Sequence, residues 1–244
     1  MSKSVCLILT CTINVKNIAH MKRSDTYLRL KDYKLTFLKW LKNKNVKEII
    51  FVENSNYDLS EFRKMALEFK AEKKIEFISY DGQKFPRKLG KGFGESQAIE
   101  RVISDSLFFL KNEKFIKING RYYVPNISNF LEFFSKTDSH IMADLSLNLT
   151  WSDSRLFGGS KKFFSEYLVS ETRKTNDSIG LYFEYLLAAS IHRAIADGLK
   201  WVIPPCPAVI DGVSGTSGRR YEQNFFKISL KRIFLEAKRF VIKH

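Results

Sequence analysis

Three stretches of the chain carry groups able to hold an anion or take up a proton. Residues 214–220 (SGTSGRR) put backbone N–H groups, hydroxyls and the guanidiniums of Arg219 and Arg220 into one short loop. Ser214, Gly215 and Ser217 with that arginine pair suit a diphosphate; the same composition also fits a flexible link to the segment that follows. Residues 151–160 (WSDSRLFGGS) hold Asp153 in a turn that reads as a binding loop, and capping is its plainer use. Glu184 stands among Leu181, Tyr182, Phe183, Leu186 and Leu187, apolar neighbours that would strip water from its carboxylate. Asp177 and Glu95 complete the carboxylates placed to accept a proton. Glu95 closes a glycine run, KLGKGFGE, that also contains Lys91. Glycines let a backbone approach a ligand closely, and the helix expected from Ser96 would offer its N-terminus to an anion. The run lacks the G-x-x-x-x-G-K-[ST] spacing and does not follow the first strand, so as a phosphate motif it is weak.

The elements that must position these groups alternate. Residues 4–13 form a continuous apolar strand, and 25–43 a helix with Tyr27, Leu30, Tyr33, Phe37, Leu38 and Leu41 at helical spacing. Strand 46–52, helix 59–73 and strand 75–80 follow, then a helix 96–110 and a fourth strand 115–124 broken at Asn119-Gly120. Such alternation implies βαβ units and a largely parallel sheet, whose ligands sit beyond the carboxyl ends of the strands. Three polar strand ends are therefore the candidate nucleotide cradle: Thr10 and Thr12; Glu53, Asn54 and Ser55; and Asp81. Ordinary turn chemistry explains each of them singly. Beyond a helix at 127–134 and a strand at 140–147, the spacing predicts a polar turn at 151–160 and a long helix over 177–198. Three prolines confine the strand-like 201–210 to a sheet edge. Residues 221–244 divide Phe226, Leu230, Ile233, Phe234, Ala237 and Val241 from Lys227, Lys231, Arg232, Lys238, Arg239 and Lys243, a basic amphipathic helix.

The 244 residues carry 41 Lys+Arg against 26 Asp+Glu, a net charge of +15 that favours anionic partners such as nucleotides, phosphates or anionic lipid. No RNA- or DNA-binding signature accompanies the charge, which argues against a nucleic-acid-binding protein, the alternative of another class. Cys6, Cys11 and Cys206 have no metal-ligand spacing, and the four histidines make a zinc site improbable, so a reducing compartment is expected. No apolar run approaches the ~20 residues that span a bilayer.

With these strand ends and carboxylates in this order, the chain resembles the GT-A glycosyltransferases of bacterial surface-polysaccharide and lipopolysaccharide (O-antigen, capsule) assembly. The likeness rests on the first strand with Thr10 and Thr12 followed by Asp25, Arg29 and Tyr33, on Phe51-Val52-Glu53-Asn54-Ser55, on Asp81, on Gly92-Phe93-Gly94-Glu95, and on Asp177 and Glu184. It implies an α/β, Rossmann-like fold with a mixed, mostly parallel sheet flanked by helices. One catalytic domain would span 1–220, with 1–124 binding the nucleotide and 125–220 the acceptor, and 221–244 would append the basic helix. The implied activity moves a sugar from a nucleotide-sugar, most often UDP-linked in that family, to a lipid-linked or polysaccharide acceptor. It implies a cytoplasmic protein, peripheral on the inner face of the cytoplasmic membrane. A nucleotidyltransferase is the nearest rival, but the first strand lacks the glycine-rich loop such enzymes use. The chain departs from the family where its metal-binding Asp-x-Asp should fall. There it has Lys117-Ile118-Asn119-Gly120-Arg121, two cations in place of two carboxylates. The expectation is that Lys117, Arg121 and the 214–220 loop neutralise the leaving diphosphate without a metal, with Asp144 and Asp153 as fallback ligands for Mn²⁺ or Mg²⁺.

Overall fold

The computed structural model describes residues 4–15, 22–69, 73–221 and 225–243. The first half folds as the apolar runs dictate: β1 (Val5–Cys11), α1 (Thr26–Lys42), β2 (Glu48–Glu53), α2 (Ser60–Glu68) and β3 (Lys74–Ser79). Asp25 caps α1 by accepting from the Leu28 N–H at 2.8 Å. Then come α3 (Gly90–Asp105), α4 (Leu107–Lys111), β4 (Lys114–Asn119), β5 (Tyr122–Tyr123), α5 (Ile127–Lys136), β6 (Ile141–Met142), β7 (Leu145–Ser146), β8 (Trp151–Ser152) and β9 (Leu156–Ser160). A π-helical segment, Phe163–Leu168, runs into α6 (Val169–Thr172); α7 (Phe183–Ala196), β10 (Trp201–Val202), β11 (Asp211–Gly212) and α8 (Phe225–Lys243) complete the chain.

Seven strands form one sheet in the order β10-β6-β9-β4-β1-β2-β3, parallel except that β9 runs antiparallel to both its neighbours. The sheet is mixed, mostly parallel and flanked by helices, as the sequence implies. β1 is buried on both faces, which is why it reads as an unbroken apolar run. Cys6 and Ile8 pack in a core with residues of α3, α7 and the π segment, while Leu7, Leu9 and Cys11 pack with residues of α1, α2 and α5.

Three expectations need correction. α3 starts at Gly90 rather than Ser96, so the glycine run is helix and not a phosphate loop. Gly90 has φ +77°, and a Cβ there would run into Asp177; a Cβ at Gly92 would press on Phe183 and Thr175, each at 2.9 Å. Close packing, not anion binding, sets these glycines. Residues 151–160 are not a polar turn, since 156–160 form the inserted strand β9, where a Cβ on Gly159 would collide with Phe163 and Phe164. The 177–198 helix is two pieces: a 3₁₀ turn, Asp177–Ile179, ends at left-handed Gly180 (φ +74°), and α7 begins anew at Phe183. The C-terminal helix is present as expected, and it rests on the domain: Leu235 is buried and Lys238 pairs with Asp144 at 3.0 Å. The side chains of Lys227, Val241 and Lys243 lie outside the described residues. No helix among the described residues is long and apolar enough to cross a membrane.

Candidate functional site

The carboxyl ends of β1, β2 and β4 open into two cavities that share Lys91, Glu95, Asn119 and Arg121. The inner one, about 70 Å³, is lined by Thr10, Thr12, Arg29, Tyr33, Asn54, Gln83 and Phe85 among others. Register explains the grouping, because Thr10 lies beside Asn119 across the β1–β4 ladder and Cys11 beside Glu53 across β1–β2. Thr12 Oγ1 donates to Asn54 Oδ1 at 2.7 Å, and Asn54 Nδ2 donates to the Gly94 carbonyl at 3.1 Å. The Thr10 hydroxyl is buried without a partner.

Not every polar strand end faces this cavity. Glu53 is fully buried, and its carboxylate accepts from the N–H groups of Ile13 (3.0 Å), Ser55 (2.9 Å) and Tyr57 (2.9 Å). It ties the loops after β1 and β2 together instead of meeting a ligand. The Ser55 hydroxyl donates to Glu53 and accepts from the Asn14 N–H, and Asp81 pairs with Lys84 at 2.9 Å; neither lines a cavity. Arg29 lines the inner cavity with its charge already engaged. Its guanidinium donates to the Thr12 carbonyl (2.7 Å), the Arg23 carbonyl (2.9 Å) and the Tyr33 hydroxyl (3.2 Å), and burial lowers its pKa.

The outer cavity is a cleft of about 490 Å³. It gathers Lys91, Glu95, Lys117, Asn119, Arg121, Asp144, Asp153, Glu184, Ser214 and Gly215, which lie far apart in the sequence. The charges in it sort by pairing. Lys117, fully buried, makes an ion pair with Glu95 and donates to the Ser154 carbonyl at 2.9 Å. Burial pushes its pKa down to about 7, against the pull of Glu184 and Asp153. Its charge is thus matched inside the wall, which corrects the expectation that Lys117 meets a diphosphate. Asp153 is clasped by Arg155, with Nε to Oδ1 at 2.8 Å and Nη2 to Oδ2 at 2.6 Å, and this clasp holds its pKa low despite burial. That makes Asp153 a poor proton acceptor. Asp144 is paired with Lys238. Two carboxylates each already neutralised by a cation do not fit a divalent ion, and no group of three or more His, Cys, Asp or Glu among the described residues could hold one.

Arg121 differs from these. It is 5% exposed, its Nε and Nη1 are buried with no hydrogen-bond partner among the described residues, and it lines both cavities. Its guanidinium lies close enough to Gly215 that a Cβ there would run into it. No carboxylate among the described residues pairs with it, nor with Lys91, whose Nζ donates to Thr216 Oγ1 at 2.8 Å, nor with Lys231. The cleft therefore carries a surplus of cations. Glu184, in the first turn of α7, is the carboxylate in it with no cation in salt-bridge contact; its Oε1 accepts from Ser154 Oγ at 2.7 Å. Asp177 lies on the separate 3₁₀ turn against Gly90 and does not line the cleft. The 214–220 loop divides likewise. Ser214 and Gly215 line the cleft, whereas Ser217, Arg219 and Arg220 do not, and Arg220 pairs with Asp211 at 2.8 Å. Sequence reasoning missed Gln83 and Phe85 as lining residues, and Arg155 as the partner of Asp153; only the last had a local signal, two residues away.

No family model and no curated sequence matches the chain. Solved structures do. The glycosyltransferase GlyE of Streptococcus pneumoniae is 10% identical over 82% of this chain and 45% of its own, with a TM-score of 0.51. This chain thus spans less than half the length of GlyE. The likeness is one of fold, the mixed, mostly parallel α/β sheet flanked by helices. A nucleoside-diphosphate-sugar pyrophosphorylase from Vibrio cholerae is 11% identical over 82% of this chain and 91% of its own (TM-score 0.46). A cytidylyltransferase from Leptospira borgpetersenii is 9% identical over 85% and 78% (TM-score 0.46).

Proposed function

We propose that the chain is a glycosyltransferase that binds a nucleotide-sugar across the two cavities and passes the sugar to a glycolipid or polysaccharide acceptor. The observation that carries this reading is Arg121, a buried guanidinium with unpaired N–H groups at the junction of the cavities. An unmatched buried cation is costly to a folded chain and is kept where an anion arrives to satisfy it. In this reading the nucleoside sits by Thr10, Thr12, Asn54 and Phe85, and the diphosphate meets Arg121, Lys91 and the backbone of Ser214–Gly215. The acceptor oxygen forms its bond to the sugar C1 as the bond from C1 to the diphosphate breaks. Glu184 takes the acceptor's proton, and the electron pair leaves on the diphosphate, where the cations stabilise it. The cations stand in for a metal, so none is required. The division into a nucleotide half (1–124) and an acceptor half (125–220) belongs to the same proposal.

The setting follows from α8. Phe226 (73% exposed), Ile233 (62%) and Phe234 (70%) project from a helix that also bears Lys231, Arg232 and Arg239. That combination suits the headgroup layer of an anionic membrane, and supports a peripheral protein on the inner face of the cytoplasmic membrane, working on surface-polysaccharide or lipopolysaccharide precursors. The decisive experiment is a screen of nucleotide-sugars for donor hydrolysis and for transfer. Release of a nucleoside diphosphate supports glycosyl transfer, whereas formation of a nucleotide-sugar and pyrophosphate from a sugar phosphate and a nucleoside triphosphate would show nucleotidyl transfer instead. Thermal stabilisation by oligonucleotides but not by nucleoside diphosphates would favour a nucleic-acid-binding protein.

A further inference from the structure

Beside Glu184 the cleft wall is aromatic. Trp151 lines the cleft and meets the ring of Tyr185 edge-on, with centroids 4.9 Å apart and planes at 90°. Tyr185 stacks in turn on Tyr182, with centroids 6.3 Å apart and planes 22° apart. The two tyrosines keep 37% and 41% of their surface exposed, so the row runs from the cleft outward into solvent. Glu184 lies between them in the chain.

The row is held by two elements locked together. Trp151 pairs with Ser146 across the β7–β8 hairpin, and both residues line the cleft. The turn that joins these strands is strained. Leu147, Asn148 and Leu149 have φ of 47°, 59° and 66°, three consecutive left-handed residues without a glycine. Such conformations cost on the order of 1 kcal/mol or more each and concentrate at functional surfaces. A ring nitrogen of His192, on α7, lies 2.8 Å from the Leu149 carbonyl and pins this turn to the helix that carries Glu184 and Tyr185.

We infer that this aromatic row is the acceptor subsite, and that it takes a pyranose ring. The ligand must bring a hydroxyl to Glu184 and lay an apolar face on Trp151, with Tyr185 at its edge, since the two rings stand at 90°. A sugar ring has both, with C–H groups on its faces and hydroxyls at its edge, whereas an acyl chain has no hydroxyl to offer. Polar groups of the cleft beside Trp151 fit the same ligand: Ser146 and the Glu184 carboxylate. Glu184 and Trp151 line the outer cleft and not the inner cavity assigned to the nucleoside, and Arg121 lines both. This inference rests on the transferase reading and adds to it the part of the acceptor that is recognised.

The test uses the full chain on an immobilised library of neutral oligosaccharides and lipid-linked glycans, with nucleoside diphosphates titrated separately by calorimetry. The expected result is binding of at least one neutral glycan, weakened at least tenfold in Tyr185→Ala and in Trp151→Ala, and partly restored in Trp151→Phe. Tyr185 is an exposed side chain, so its variant carries the test if Trp151→Ala fails to fold. Glycan binding that both alanine variants retain within twofold would overturn the subsite. If the unaltered chain binds nucleoside diphosphates but no glycan, the subsite falls and the transferase reading stands. If it binds neither, both fall.

Discussion

Replacing Arg121 by Met removes the guanidinium, the part that crowds Gly215, while keeping an apolar stem, and it should move stability and function in opposite directions. Two N–H donors, Nε and Nη1, are buried without partners in the ligand-free chain. An unsatisfied buried donor costs ~1–3 kcal/mol, so an apolar replacement of similar shape should stabilise the empty protein by ~2 kcal/mol even if part of the gain is lost to imperfect packing. For a chain of this length that raises the melting temperature by roughly 4–8 °C. Binding should suffer in the other direction. A saturating nucleoside diphosphate at 100 times its dissociation constant stabilises a protein by ~2.7 kcal/mol, and Arg121→Met should lose most of that response. Turnover of the nucleotide-sugar should fall at least ~10²-fold, the usual result of removing one group that stabilises developing charge. Scanning fluorimetry with and without nucleoside diphosphate reads the first two effects, and release of nucleoside diphosphate from the donor reads the third. A variant that melts lower than the parent while responding to nucleotide as strongly would show that the guanidinium is a structural strut, and the reasoning from its missing partners would be wrong.

Glu184→Gln should cost ~10²–10⁴-fold in transfer while leaving the nucleotide-induced melting shift in place, because the group acts on the acceptor's proton; a transfer rate within threefold of the parent would remove Glu184 from the mechanism. Transfer should persist in excess EDTA, and full loss restored by Mn²⁺ or Mg²⁺ would return attention to Asp144 and Asp153. Burial lowers Lys117 from its ordinary 10.5 to about 7, so across that window the unfolded chain holds a proton that the folded chain has released. Its contribution to stability must therefore improve as the pH is raised from about 7 toward 10.5, and be least favourable below 7. The melting temperature of the parent relative to Lys117→Met should climb across that range, and a flat difference would contradict the assigned shift. Phe226→Ser with Phe234→Ser should weaken sedimentation with anionic liposomes without lowering the melting point, whereas Leu235→Ala, at a buried position, should lower it; unchanged sedimentation would end the membrane role of α8.

Much of the architecture could be read from the chain because the β1–α1–β2–α2–β3 run is locally consistent: apolar strands buried on both faces alternate with helices of one apolar stripe. The fourth strand came out near its true place, 115–124 against β4 and β5, because Asn119-Gly120 marks the break. What failed did so where distant contacts overrode local chemistry. Leu156–Ser160 reads as a turn, since two glycines oppose strand formation, yet a central strand needs those glycines to pass between Phe134, Phe163 and Phe164. Gly90, Gly92 and Gly94 read as a loop for the same reason and lie in a helix because Asp177, Phe183 and Phe85 crowd it. At the site, the rule that ligands meet the carboxyl ends of parallel strands brought Thr10, Asn54, Asn119 and Arg121 to one place, but it could not distribute roles among them. Glu53 stands at such an end and turns inward to bond the N–H groups of Ile13, Ser55 and Tyr57. Lys117 and Arg121 are the sharpest case. In sequence they are two cations four residues apart and interchangeable as partners for a phosphate. In the fold, Lys117 is buried where Glu95 from α3 matches its charge, while Arg121 lies past the end of β4, where no carboxylate among the described residues does. Spacing records which groups are present. It holds no record of which of them lack a partner, and at this site the lack is what marks the residue for function.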